Sequence, residues 1–295
     1  MADSDQERDK DDDAGAERVD KTRVHNKVRS RPLGELDDPP DRGPAAYLAE
    51  FVGTFGLVFV ICAVVTLYAP APVPSTQPGL PATQPFQDWS VIGLAHGFIL
   101  FALIQALAVV SGAHFNPAVT AAMTAIRQIK PIDAAIYVVV QLLGGIAAAG
   151  VVKLMFDNPN AAGADPTFGA PSVGAAAAGT TSVAFAAELI GAFLLMWTIV
   201  GVAINPRGAR EWAAFAIGAT LLAIEMIFGP VSGGSFNPAR ALGPSMFSEF
   251  AEGTGTWILV WVVAPVLGAV LAAFAYLQTI ILPGRKGGEG MEPVG

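Results

Sequence analysis

Asn116-Pro117-Ala118 and Asn237-Pro238-Ala239 set the same three residue types at two distant places in the chain. In each, Asn suits a helix N-cap and Pro suits the first helical position, where a missing N–H has no partner to lose. The chemistry on offer is hydrogen bonding without proton transfer. A primary amide donates to any small oxygen within reach, and the helix end behind it adds roughly half a positive charge. One such tripeptide would say little more than a capped helix. Two are more telling, because each is led in by a related flexible stretch, Ser111-Gly112-Ala113-His114-Phe115 and Ser232-Gly233-Gly234-Ser235-Phe236.

Few other residues could do chemistry. Arg240 directly follows the second tripeptide, where a cation opposes the helix dipole and so needs a reason beyond helix stability. Glu50 and Glu188 lie in apolar runs, where carboxylates are costly and are candidates either for function or for satisfying exposed backbone N–H groups. His114 precedes Asn116 by two and is open to two readings, a pore-lining side chain or a buried hydrogen bond. With three histidines, one of them His25 near the amino terminus, and Cys62 as the sole cysteine, no nucleophile–base set and no metal-ligand set can be assembled. The expectation is a protein that is not an enzyme and has no cofactor, metal or nucleic-acid partner.

The elements that must position these residues are membrane-spanning. The 295-residue chain is 53% hydrophobic and 14% charged. Nine of its 17 Lys+Arg and 13 of its 25 Asp+Glu crowd into residues 1–43. Beyond them lies a body too poor in charge for a soluble domain of this size. The first 43 residues have no apolar core, so they are not a signal peptide; they read as a disordered cytoplasmic tail. Six stretches reach the roughly 20 apolar residues that a bilayer core requires: 45–68, 89–109, 134–156, 182–204, 212–228 and 256–282. Two helix-like stretches, 116–126 and 237–247, are too short to cross.

Placing the amino terminus inside puts fifteen of the 17 positive residues on the cytoplasmic side, including Arg127, Lys130, Arg207, Arg210, Arg285 and Lys286. This predicts cytoplasmic termini. The chain also repeats itself: Ala49-Glu50-Phe51-Val52-Gly53-Thr54-Phe55 opens the first span and Ala187-Glu188-Leu189-Ile190-Gly191-Ala192-Phe193 the fourth. Each half holds three spans and one short helix. Three is odd, so the second half enters upside down, as an inverted repeat. The two short helices then enter from opposite faces, and their amino termini meet near the midplane.

Across roughly residues 44–282 these features resemble the aquaporin (major intrinsic protein) family, in a prokaryote-like member. The resemblance implies an all-α membrane protein of six transmembrane helices and two re-entrant half-helices, forming a homotetramer in the plasma membrane with a short cytoplasmic tail at 283–295. It implies that Glu50 and Glu188 hold the re-entrant loops, and that Arg240 lines the narrowest part of the pore. His96, Glu225 and Gly234 complete that constriction by position. Glu225 departs from the residues the family usually places there; with His96 and Gly234 it suggests a wider, polar, pH-responsive filter. The alternative is a fifth span turned so that Ile224 or Met226 faces the pore.

The implied function is a passive channel for water, and for small neutral solutes such as ammonia, hydrogen peroxide or urea, that excludes protons and ions. A glycerol facilitator is the nearest alternative. It is disfavoured because Ala241 follows Arg240 where Asp would be expected and because Trp261 occupies span six. An ion- or proton-coupled transporter, which can also be built on an inverted repeat, finds only Glu225 in its favour.

Overall fold

The computed structural model describes residues 39, 41–69, 87–157, 165, 167–248, 250 and 252–283. Among them the chain is all-helical, with no strand. Six helices are long and apolar enough to cross a membrane. These are α1 (Pro44–Tyr68), α2 (Trp89–Ser111), α4 (Pro131–Phe156), α5 (Thr181–Ile204), α6 (Arg210–Ser232) and α8 (Gly253–Ile281). Two short helices, α3 (Pro117–Ala125) and α7 (Pro238–Ser245), follow the two Asn-Pro-Ala tripeptides. The expected disordered tail lies outside the described residues up to Leu36, Asp37 and Asp38, and so does 284–295. The last residues of that tail are anchored: Lys130 Nζ lies 2.6 Å from Asp41 Oδ1, and the Arg42 amide donates to Asp133 at the start of α4.

Local rules explain the helix ends. Proline stands at the first turn of α1, α3, α4 and α7, where it costs no hydrogen bond. Asp88 caps α2 by accepting from the Ser90 and Val91 amides. Gly112 and Gly233 end α2 and α6 in the left-handed conformation, at φ +89° and +79°, which glycine adopts without a Cβ penalty. That ending turns the chain back into the protein. The fifth span is longer than the apolar stretch 212–228 suggested, because Pro230 sits within its last turn without stopping it and the stop comes at Gly233. Span six carries wide-turn stretches at Leu259–Val263 and Leu277–Ile281, the first just ahead of Pro265, a residue that cannot donate a ladder hydrogen bond.

The packing repeats the sequence symmetry. α1 packs on α2 and α4, as α5 packs on α6 and α8, and α2 meets α6 across the halves. The short helices exchange halves: α3 lies against α8 and α7 against α4. Large apolar side chains such as Leu154, Val109 and Ile132 remain exposed on the outside, as lipid-facing surface requires.

Glycine sets the closest approaches. A Cβ on Gly97 would lie 2.6 Å from the Gly218 carbonyl oxygen, and one on Gly218 would lie 2.5 Å from that of Gly97. Gly144 faces the Phe51 carbonyl, Gly145 that of Ala239 and Gly268 that of Leu189. These glycines of spans three and six are therefore packed against the chain's own backbone. Gly218→Ala should lower stability by about 1–3 kcal/mol, read as earlier thermal unfolding in detergent. Gly255→Ala, on a helix with nothing within 4 Å of the new methyl, should be neutral or slightly stabilising.

Candidate functional site

The site is built from two irregular loops inside the helix bundle, each ahead of a short helix. Their backbone is strained. Ala113 and Phe115 in the first, and Gly234 and Phe236 in the second, all have φ between +49° and +54°. For a non-glycine residue this costs about 1–2 kcal/mol. It also points successive N–H groups to one side, where in a membrane they need an internal acceptor.

Glu50 and Glu188 are those acceptors. Glu50 takes the amide hydrogens of His114 at 2.9 Å and Phe115 at 2.7 Å, and the Gln141 side-chain amide at 2.8 Å. Glu188 takes the amides of Ser235 at 2.9 Å and Phe236 at 2.6 Å, and the Ser232 hydroxyl at 2.7 Å. Three residues on from each glutamate is a glycine, Gly53 or Gly191, and the ring of Phe115 or Phe236 lies where its side chain would be. The Glu-x-x-Gly pattern in both spans thus receives a loop twice, by hydrogen bond and by packing. The lead-in serines are also held: Tyr137 Oη donates to the Ser111 carbonyl at 2.7 Å, and Trp261 Nε1 to that of Ser232 at 2.9 Å.

The two tripeptides meet and tie each other. Asn116 Nδ2 donates to the Phe236 carbonyl and Asn237 Nδ2 to the Phe115 carbonyl, both at 2.9 Å. Their Oδ1 atoms cap their own helices, through Ala118 N at 2.8 Å and Ala239 N at 3.0 Å. A primary amide carries two N–H groups. Each Asn therefore commits one hydrogen to the opposite loop and keeps a second at the junction of two helix amino termini. Pro117 and Pro238 start those helices, and Ala118 and Ala239 are buried at 1% and 0% exposure.

The four residues expected at the constriction come from α2, α6, the second loop and α7. His96 and Glu225 face each other from α2 and α6, with Nε2 3.8 Å from Oε1. Glu225 also abuts Gly234 of the second loop, while Ile224 is in the apolar core and Met226 packs on Gly93. Arg240 donates through Nη1 to the Gly169 carbonyl at 2.7 Å. The Glu225 carboxyl group occupies the space beside Gly234 that a side chain there would need. His114 shows the hydrogen-bonded arrangement: Nδ1 pairs with Thr120 Oγ1 at 3.1 Å, and the ring stands edge-on to Tyr137. Among the described residues no His, Cys, Asp and Glu cluster could hold a metal ion.

Sequence reading missed Asp165. It lies between the third and fourth spans and accepts from the Thr167 amide and hydroxyl and from the Gly169 amide. Its turn presents the carbonyl that holds Arg240. Asp-Pro-Thr-Phe-Gly is a turn signal in its own right. Gln141 was missed too, because one amide in an apolar helix carries no motif.

With this geometry in hand, residues 43–276 match the family described as major intrinsic protein. Nodulin-26 of Glycine max is 38% identical over 231 residues, 78% of this chain and 75% of that protein. Aquaporin AqpM of Methanothermobacter thermautotrophicus is 37% identical over 239 residues, 78% of this chain and 94% of that one. The glycerol uptake facilitator protein-like 6 of Lactiplantibacillus plantarum is 35% identical over 232 residues, covering 77% and 94%. In fold, the chain is similar to the aquaglyceroporin from Plasmodium falciparum, with a TM-score of 0.68 at 24% identity, over 82% of this chain and 98% of that one.

If Glu188 carries the second loop, Glu188→Ala strands two backbone amides, at about 1–3 kcal/mol each. Thermal unfolding should come much earlier than in wild type. Glu188→Gln keeps one acceptor oxygen and should fall between the two.

Proposed function

The chain belongs to the major intrinsic protein family, so it is a multi-pass membrane channel and not an enzyme, and from that premise we propose that its principal permeant is water. The observation that carries this reading is the polar lining brought together at the expected constriction, where His96 and Glu225 face each other beside Gly234 and Arg240 is held by the Gly169 carbonyl. A lining of charged and polar atoms suits a small molecule such as water that both donates and accepts. At the midplane, the free amide hydrogens of Asn116 and Asn237 would each bind the oxygen of a passing water, turning its hydrogens outward and breaking a proton-conducting chain. The facing helix ends and Arg240 add positive potential against cations.

Glycerol conduction is the second reading, favoured by the similarity to a glycerol uptake facilitator-like protein. Osmotic shrinkage of proteoliposomes followed by stopped-flow light scattering separates the two. Water flux should exceed that of empty vesicles on the order of tenfold, with glycerol flux near the empty-vesicle value; equal stimulation of both would overturn the water reading. Ammonia, urea and hydrogen peroxide belong in the same series. Arg240→Val should insert and still conduct water while admitting protons, read by a pH dye in the vesicle lumen. An unchanged proton barrier would remove Arg240 from the filter.

We also propose a homotetramer in the plasma membrane, with residues 1–43 and 283–295 as cytoplasmic tails. Arg127, Lys130, Arg207 and Arg210 lie in connections on the face that holds the amino terminus, in keeping with positive residues inside. Native mass measurement in mild detergent should give four chains per particle; monomers alone would refute the assembly.

A further inference from the structure

The inverted repeat is broken at one charged position. Arg240 directly follows the second Asn-Pro-Ala tripeptide. The matching residue after the first tripeptide is Val119, which is buried in an apolar cluster. Symmetry alone therefore leaves the cytoplasmic half of the pore without a fixed cation.

A cation reaches that half from outside the repeat. Residues 41 and 42 run just ahead of α1 and are clamped to the start of α4. Lys130 Nζ lies 2.6 Å from Asp41 Oδ1, and the Arg42 amide donates to Asp133 Oδ2 at 3.2 Å. Tyr47 of α1 completes the clamp: its hydroxyl donates to Asp133 Oδ1 at 2.6 Å and lies 3.0 Å from the Arg42 carbonyl oxygen. Both of these contacts to Arg42 are made by its backbone, so any residue at 42 would be tied down equally well.

The guanidinium is used otherwise. It makes no ion pair with a carboxylate among the described residues, and its Nε is buried without a partner. Partly burying an unpaired cation is costly, so the side chain calls for a role of its own. Its Nη2 lies 3.7 Å from the point where Gly112 would carry a Cβ, and His114 Nε2 lies at the same distance from that point. Gly112 is the left-handed stop at which the chain leaves α2 and turns into the bundle. Arg42 thus stands with His114 where the first loop enters.

We propose that Arg42 is a second selectivity residue, a fixed positive charge at the cytoplasmic mouth of the pore that repels cations entering from that side. The proposal rests on the water-channel reading above and adds to it a group that the repeat does not encode. Lys130, Asp41, Asp133 and Tyr47 hold the residue in place, and the charge of its side chain is left facing the mouth.

Purified full-length protein in liposomes tests this in two ways. The first reads charge, as proton entry reported by a lumenal pH dye in the Arg240→Val background, where the other fixed cation is gone. Adding Arg42→Gln should raise proton entry roughly two- to fivefold at 10 mM salt, the scale of one unit charge acting through water at close range. The increase should shrink at 1 M salt, where screening acts within about 3 Å instead of about 30 Å. Arg42→Lys, which keeps the charge, should match Arg240→Val alone. A double variant no leakier than Arg240→Val overturns the proposal, and so does an increase that salt leaves unchanged or that Arg42→Lys also shows. The second reads position in an otherwise unaltered channel. Arg42→Cys, treated on both faces with a bulky maleimide and counted by intact mass, should lose most of its water flux on labelling; wild type is the control, its Cys62 being fully buried. Labelled protein with undiminished flux overturns the proposal, as does a cysteine that fails to react. Wild-type vesicles no more permeable to water than empty ones would sink the water reading, while the proton comparison would still judge Arg42.

Discussion

Backbone that is not helical cannot lie in a membrane unless something inside the protein accepts its hydrogen bonds. Two loops of this chain enter the bundle in left-handed conformations, and two glutamates take their amide hydrogens. Much of the remaining sequence pattern follows from that one need. Gly53 and Gly191 are bare because the phenylalanine rings of the loops lie on them. Ser111 and Ser232 are each held through their carbonyl by an aromatic donor from the last span of their own half, Tyr137 or Trp261. A buried carboxylate that accepts several N–H bonds is well compensated, so these two acids are bearable where a lone acid would not be.

Once the loops are held, the inverted repeat does the rest. Each short helix leaves its own half and packs on the third span of the other, which brings two helix amino termini to one place. Like ends repel, and the crossed bonds from Asn116 to Phe236 and from Asn237 to Phe115 hold them there. Those bonds use one hydrogen of each amide. The second hydrogen and the two helix dipoles stay directed at the junction, fixed before anything arrives.

Much of this was legible in the sequence, for reasons that also mark what was not. Spans and short helices follow from apolar length and Asn-Pro starts, and the inverted repeat follows from parity, all of them local or countable properties. Span ends slipped by a few residues where hydropathy and capping disagree: apolar character fades after Phe228, but the helix runs on to the glycine stop at Gly233. Gly144, Gly145 and Gly268 are small residues in apolar spans, where close helix contact is permitted. Sequence cannot say against which surface, and the surface turns out to be the chain's own carbonyl groups. Asp165 and Gln141 were invisible for a related reason, since each acts on residues that only the fold brings near. The contact of Glu225 with Gly234 is of the same kind: only the fold shows that the carboxyl group occupies the space beside the glycine.

The contrast between Arg240 and its neighbours shows how the fold manages charge around that constriction. A guanidinium held by a carboxylate would lose most of its field to its partner, at a cost in desolvation besides. Here the hold comes from the Gly169 carbonyl, a neutral acceptor that orients the group and leaves the positive charge whole. That carbonyl is placed by a turn, with Phe168 at φ +54° and Gly169 at φ +81°, and Asp165 binds the turn from within. The acid thus stands one step back from the cation, fixing its holder without pairing with it. Glu225 also leaves Arg240 without a hydrogen-bonded acid, because its carboxyl group is turned toward Gly234 and His96. Position and charge are supplied by separate residues, and so the same arginine can be both rigid and electrostatically unspent.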